Sequence, residues 1–206
     1  MNSKRRDFPT IVWDIDDVLN DLTRAWLETV WRPGHPQCRV TYRELTANPP
    51  HRLLGISRQE FLASLDRFRV SKEAEAMSPK PELRSWFARY GSRYRHIALT
   101  ARPRHTVLAA FKWVENHFGP WFQTYAFVPS KRPGQESYQP DRSKTDYLAW
   151  LEKADFFVDD DEQNCDAAKP LGIKALLVDR PWNQAGMCLN TILTLIAERG
   201  CGLVLK

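Results

Sequence analysis

Two carboxylates, Asp14 and Asp16, stand two residues apart at the end of the apolar run TIVW that begins at Thr10. Side chains alternate with a period of two along an extended chain, so both carboxylates face the same cleft. Such a pair can divide labour, one group attacking as a nucleophile while the other gives and takes protons. A second acidic cluster, Asp159, Asp160 and Asp161, follows the apolar run DFFV that starts at Asp155. A solvated acidic turn is the plain reading of either cluster alone. Two of them at strand ends concentrate repulsion that a cation must offset, and hard carboxylate oxygens suit Mg²⁺ bridging to a phosphate.

The remaining candidates would meet the anion. Thr100 closes the run HIALT and Ala101 leads into a helix, so the Thr100 hydroxyl and the following N–H groups face the positive end of that helix. Taken alone, such a threonine reads as a helix N-cap. Ser143 and Asp146 have capping-box spacing, which places Lys144 in a first helical turn where the dipole disfavours a cation. A lysine there implies a local anion. Lys131, in the polar loop PSKRPGQESYQPDR, is the rival for this role but sits on a segment that positions a side chain less well. Arg102, just past Thr100, is a candidate for reaching phosphate or sugar.

Elements of alternating type position these groups. Five short β-rich runs stand out, Thr10–Asp14, His96–Thr100, Thr124–Val128, Asp155–Val158 and Ile173–Val178. Helical stretches separate them, including Arg104–Phe118, whose Val107, Ala110, Phe111, Val114 and Phe118 share one stripe, and Ser143–Lys153. Strand–helix alternation with right-handed crossovers predicts an α/β, Rossmann-like open parallel sheet with helices on both faces. Ligands bind outside the carboxyl ends of such strands, where all the candidates above fall. The stretch between the first two runs far exceeds one crossover. It contains helical segments Leu22–Trp31 and Ser57–Phe68 among Pro-rich turns, with Pro81–Tyr90 returning to the sheet, and predicts a small helical cap over residues 21–78 inserted after the first strand. The flanking residues 1–20 and 79–206 then form the catalytic core. Trp26, Trp31, Tyr42, Phe61 and Phe68 are aromatic candidates in the insert for stacking on a substrate, with Trp31 and Phe61 foremost.

The 206 residues suffice to bury a core without staples, and the four scattered cysteines form no CxxC pair, which points to a reduced, cytoplasmic protein. No run approaches the roughly 20 apolar residues of a membrane span, so no membrane partner is expected. The formal charge of +5 fits a small anionic substrate or, less favoured, nucleic acid, with Lys4, Arg5 and Arg6 read as a solvated tail.

In this order, Asp14-Ile15-Asp16, Thr100 within IALTARP, Lys144 fifteen residues before Asp159, and Asp159-Asp160 after DFFV resemble the four motifs of the haloacid dehalogenase superfamily of phosphohydrolases. The resemblance covers the sheet domain. It implies Asp14 as nucleophile, Asp16 as general acid/base, Thr100 and Lys144 as phosphate binders, and Mg²⁺ held by Asp14, Asp159, Asp160 and the main-chain carbonyl of Asp16. Asp160 and Asn164 also form a spaced pair seen in other members, leaving two readings of the last metal ligand. Within the superfamily, Asp14–Asp21 (DIDDVLND) and Asp179–Asn183 (DRPWN) are similar to the 5'(3')-deoxyribonucleotidase group, although Asp17 stands where glycine is common. The implied activity is a Mg²⁺-dependent phosphatase acting on a small phosphate monoester, a nucleotide by that likeness. A polynucleotide or sugar phosphatase and a non-catalytic binding protein on the same fold are the alternatives. A response-regulator receiver requires its phosphorylated Asp between the acidic pair and the Thr, and the order here is different.

Overall fold

A computed structural model describes residues 8–130, 132, 138–183 and 185–203, so Lys4, Arg5, Arg6 and Lys131 lie outside the described residues. Its strands are β1 (Thr10–Trp13), β2 (Arg95–Thr100), β3 (Phe122–Phe127), β4 (Phe156–Asp159) and β5 (Lys174–Leu177). They form one five-stranded sheet in the order β3-β2-β1-β4-β5, parallel throughout. The longer helices are α1 (Leu22–Trp26), α2 (Arg58–Arg69), α3 (Pro81–Tyr90), α4 (Arg104–Phe118), α5 (Lys144–Leu151), α6 (Glu162–Ala168) and α7 (Leu189–Leu203). The predicted α/β architecture is the one observed, and no helix among the described residues is long and apolar enough to cross a membrane.

The alternation of β1 shows why helices cover both faces. Ile11 and Trp13 join a core with Leu83 and Trp86 of α3, Trp113 and Phe118 of α4, and Ile192 and Ile196 of α7. Val12, between them, faces the other way into a core with Ile97, Leu99 and Phe157, closed by Tyr147 and Leu148 of α5 and Ala168 of α6. Polar atoms in the first core are satisfied internally, since Trp86 Nε1 donates to the Leu193 carbonyl at 2.9 Å and the Tyr94 hydroxyl to that of Ile196 at 2.8 Å. β3 starts at Phe122, earlier than its sequence pattern indicates, because the register shifts between His96 and Ile97 and breaks the alternation there.

A separate apolar cluster lies within the insert, drawing on Leu22, Trp26, Trp31, Tyr42, Phe61, Leu65 and Phe68. Helix α2 starts by a capping box, with Ser57 Oγ accepting from Glu60 N–H and the Glu60 carboxylate accepting from Ser57 N–H at 2.9 Å. This cluster corrects one expectation. Trp31 (5% exposed) and Phe61 (1%) pack inward, Phe61 edge-on to Trp26, so neither ring is free to stack on a substrate. Aromatics at helical spacing are most often core, and these face the insert's own core.

Beneath β1, His96 is buried with Trp13 Nε1 donating to its Nδ1 at 3.1 Å and the Gly91 carbonyl 2.8 Å from its Nε2. An acceptor Nδ1 fixes the neutral form with the proton on Nε2. Burial pushes its pKa down to about 4 despite the bond to Gly91. The unfolded imidazole takes a proton near pH 6.5 while the folded one resists, so this contribution is complete above that pH and shrinks as pH falls toward 4. Between pH 7 and 4 the unfolding free energy of the wild type, measured by urea titration relative to His96→Gln, is expected to drop by about 3 kcal/mol. A pH-independent difference contradicts the neutral buried imidazole.

Candidate active site

The carboxyl ends of β1 and β4 lie side by side, held by the bond from Asp14 N–H to the Val158 carbonyl at 2.9 Å. That pairing brings Asp14, Asp159 and Asp160 together, each buried, with one carboxylate oxygen from each within 4.8 Å of the others. The grouping has the hard-oxygen character that a divalent cation requires. Lys144 projects into it from the first turn of α5, its Nζ 2.6 Å from Asp14 Oδ1 and 2.7 Å from Asp159 Oδ2. The helix start is fixed as expected, Asp146 N–H donating to Ser143 Oγ at 3.1 Å, and the Asp146 carboxylate also accepts from Arg142 N–H at 2.9 Å. Burial raises the Asp14 pKa to about 8, with Asp159 and Asp16 adding to the rise and Lys144 opposing it. Burial alone would lower the Lys144 pKa, but Asp14 and Asp159 outweigh it and keep the ammonium charged. Asp160 is raised by burial and by the same two neighbours.

Thr100 ends β2 beside β1, 1% exposed, and its hydroxyl is buried with no hydrogen-bond partner. A buried hydroxyl without a partner costs about 1–3 kcal/mol, which an arriving acceptor would recover. Ala101, next to it, is exposed. Asn164 lies against Asp159, its Nδ2 3.3 Å from both oxygens, while Asp160 stands in the carboxylate cluster itself.

Asp16 occupies a different environment. Its carboxylate is not in that cluster but is gripped by Arg102, whose Nη2 donates to Oδ1 and whose Nε reaches Oδ2 at 2.8 Å, and by Arg69 of α2 at 3.1 Å. Burial favours the neutral acid, yet the two guanidiniums reverse this and lower its pKa. The five residues Ile15–Leu19 form one wide turn in which Asp17 takes φ 60°, the left-handed region glycine prefers. Asp17 holds that conformation by local bonds, accepting from Thr23 N–H at 3.0 Å and Thr23 Oγ1 at 2.5 Å, so glycine is not required there. Burial raises the Asp17 pKa to about 6 against those bonds.

A support after β5 carries functional positions that period and composition do not reveal. Arg180 donates through Nε and Nη2 to the Asp17 carbonyl, Trp182 Nε1 donates to Asp160 Oδ2 at 2.9 Å, and Asn183 Nδ2 donates to the Asp160 carbonyl at 2.8 Å. The indole of Trp182 also packs on the insert's cluster, edge-on to Tyr42. Gly186 makes this loop possible, since a Cβ there would stand 2.3 Å from Asp179 Cα. The motif DRPWN was the signal for these residues. Arg69 had none.

No family model and no curated protein matches the sequence. The fold itself is shared with solved structures. A haloacid dehalogenase-like hydrolase from Streptococcus pneumoniae aligns with a TM-score of 0.60 at 14% identity, covering 91% of this chain and 90% of that one. A Thermotoga maritima protein described as a β-phosphoglucomutase aligns at 0.57 and 18% identity, over 92% of this chain and 99% of that one. A HAD-type hydrolase of Bacillus subtilis, solved bound to magnesium, aligns at 0.58 and 10% identity, over 92% and 98%.

Lys144 is the cation that makes burial of Asp14 and Asp159 tolerable. Lys144→Met is expected to lower the stability of the metal-free protein by about 3–5 kcal/mol, and adding Asp159→Asn to recover part of that loss. A loss below about 1 kcal/mol in urea denaturation would show that the carboxylates do not depend on it.

Proposed function

We propose that this chain is a Mg²⁺-dependent phosphatase that hydrolyses a small phosphate monoester through an aspartyl-phosphate on Asp14. The observation that carries this reading is the buried meeting of Asp14, Asp159, Asp160 and Lys144 beside the partnerless Thr100 hydroxyl, all at the carboxyl end of a parallel sheet. Three carboxylates with a single ammonium among them fit a divalent cation, which would be held by Asp14, Asp159 and Asp160 with the Asp16 main-chain carbonyl. When bound, Mg²⁺ offsets the repulsion between a carboxylate nucleophile and a phosphate dianion.

The chain's own groups then divide the work. An Asp14 carboxylate oxygen attacks phosphorus in line, and the bond to the leaving oxygen breaks as the new O–P bond forms. Asp16 gives that leaving oxygen a proton, then removes one from the water that attacks phosphorus and frees Asp14. Thr100 and the N–H of Ala101 hold the non-bridging oxygens, with Lys144 countering their charge. Arg102 and Arg69 keep Asp16 ionised before substrate arrives. As bound substrate loosens that grip, Asp16 takes a proton from solvent water, and this is the proton that passes to the leaving oxygen as its bond to phosphorus breaks. The insert over residues 21–78 acts as a cap that excludes water and selects the leaving group.

For the leaving group, the likeness of DIDDVLND and DRPWN supports a nucleotide, with Tyr42 and Trp182 as the aromatic pair that joins the cap to Asp160. A sugar phosphate is the second reading, favoured by the likeness to the protein described as a β-phosphoglucomutase. A screen over nucleotides, sugar phosphates and nucleic-acid ends separates these two readings by relative turnover, and steep salt dependence of affinity marks a polymer substrate, which alone releases many counterions.

Asp14→Asn is expected to abolish Mg²⁺-dependent turnover, because an amide neither attacks phosphorus nor carries the charge a metal needs. Asp16→Asn is expected to spare the first step with p-nitrophenyl phosphate, whose leaving group departs unprotonated, and to slow hydrolysis of the aspartyl-phosphate. Near wild-type steady-state turnover in Asp14→Asn contradicts the assignment.

A further inference from the structure

The grip on Asp16 extends into a longer chain of buried charge. Arg69, on the cap helix α2, uses Nη2 on Asp16 and Nη1 on Asp66 Oδ1 at 2.8 Å. Arg132, from the segment after β3, sets its Nη2 on the same Asp66, 2.8 Å from Oδ1 and 3.0 Å from Oδ2. The order is therefore Arg102, Asp16, Arg69, Asp66, Arg132, three guanidiniums against two carboxylates, with side chains only 4–14% exposed. Two donors in this chain, Nε of Arg69 and Nε of Arg132, are buried with no partner. Because both arginines donate to one Asp66 oxygen, their guanidiniums stand side by side. Beside Arg69 and Arg102, and not reaching Arg132, lies a cavity of about 50 Å³, also lined by Asn20, Trp113 and the ion pair of Glu75 with Lys112. A water needs roughly 10–15 Å³ by the same measure, so there is room for a carboxylate-sized group.

A latch joining cap to core would need the ion pairs but not the surplus. Buried donors without acceptors and one cation in excess are both costly, and one anion relieves both. Arginine's planar fork is the group suited to carboxylate or phosphate oxygens. We infer that Arg69 and Arg102, with Arg132 joined to Arg69 through Asp66 and adding its charge, form a subsite for a second anionic group, so that the preferred substrate carries a carboxylate or a second phosphate on its leaving portion. The inference rests on the phosphatase reading, and names the class of ester that site takes. Its place beside Asp16 fits, because that side chain is the proposed donor to the leaving oxygen, and the subsite lies on the leaving-group side of the site.

Paired substrates test it. Turnover of 3-phosphoglycerate is compared with that of glycerol 3-phosphate, which replaces the carboxylate by a hydroxymethyl group. Fructose 1,6-bisphosphate is compared with fructose 1-phosphate for the phosphate case. In the wild type one pair is expected to differ by at least tenfold in kcat/KM in favour of the second anion, and which pair does so identifies the anion. In Arg132→Gln that preference is expected to fall to within twofold, in Arg132→Lys to survive in part, and p-nitrophenyl phosphate turnover to stay within twofold of wild type in both. No preference in either pair, or a preference unchanged in Arg132→Gln, overturns the subsite while p-nitrophenyl phosphate turnover leaves the phosphatase reading standing. Absence of turnover with every ester removes the phosphatase reading and the subsite with it.

Discussion

Three carboxylates buried at the ends of adjacent parallel strands cannot all remain charged without a cation among them, and the rest of the structure is arranged around that requirement. In a low-dielectric setting their repulsion is large, and burial alone favours the neutral acids. Lys144 supplies the compensating charge from the first turn of α5, a position where the helix dipole opposes it. Ser143 fixes that turn, and α5 packs Tyr147 and Leu148 under the sheet, so the ammonium is delivered by rigid elements. The parallel pairing of β1 and β4 sets the spacing of Asp14 from Asp159, and the loop after β5 holds Asp160 from the far side through Trp182 and Asn183.

The second carboxylate of the DxD pair is treated differently, and that difference gives it a different proposed task. Asp14 is buried among other acids, which raises its pKa although Lys144 opposes the rise, whereas Asp16 is flanked by guanidiniums, which outweigh burial and lower it. Two neighbouring acids with environments pushed apart are the usual basis for separate roles in one site. The wide turn at Ile15–Leu19 does the separating, and Arg180 stabilises it by binding the Asp17 carbonyl. Arg69 comes from the insert, so the state of Asp16 is tied to where the insert sits.

Much of the sheet was legible because its signals are local. The run HIALT and the stripe through Arg104–Phe118 announce a strand and a helix, and α4 spans the residues that stripe marks. Ser57 falls inside the helical segment Ser57–Phe68 expected from spacing but is the cap one residue outside its observed start, a difference natural at helix ends, whereas the capping-box spacing of Ser143 and Asp146 places the start of α5 correctly. The rim residues Asp14, Thr100, Lys144, Asp159 and Asp160 were legible because a parallel sheet has one ligand-binding end. Trp31 and Phe61 were misplaced because helical spacing marks a buried stripe without saying which core buries it. Arg69 and Arg132 left no trace in spacing, since their partnership with Asp16 and Asp66 joins segments brought together only by the fold.

The most direct measurement is to find where the phosphoryl group rests during turnover. Asp16→Asn protein, mixed with p-nitrophenyl phosphate and Mg²⁺ and quenched in acid within the first turnover, is digested and its peptides are weighed by mass spectrometry. The account predicts a phosphoryl group on the peptide containing Asp14, lost on treatment with hydroxylamine as an acyl phosphate should be. Release of a full equivalent of p-nitrophenol with no phosphoryl group on that peptide, or with the group on another residue, would contradict it.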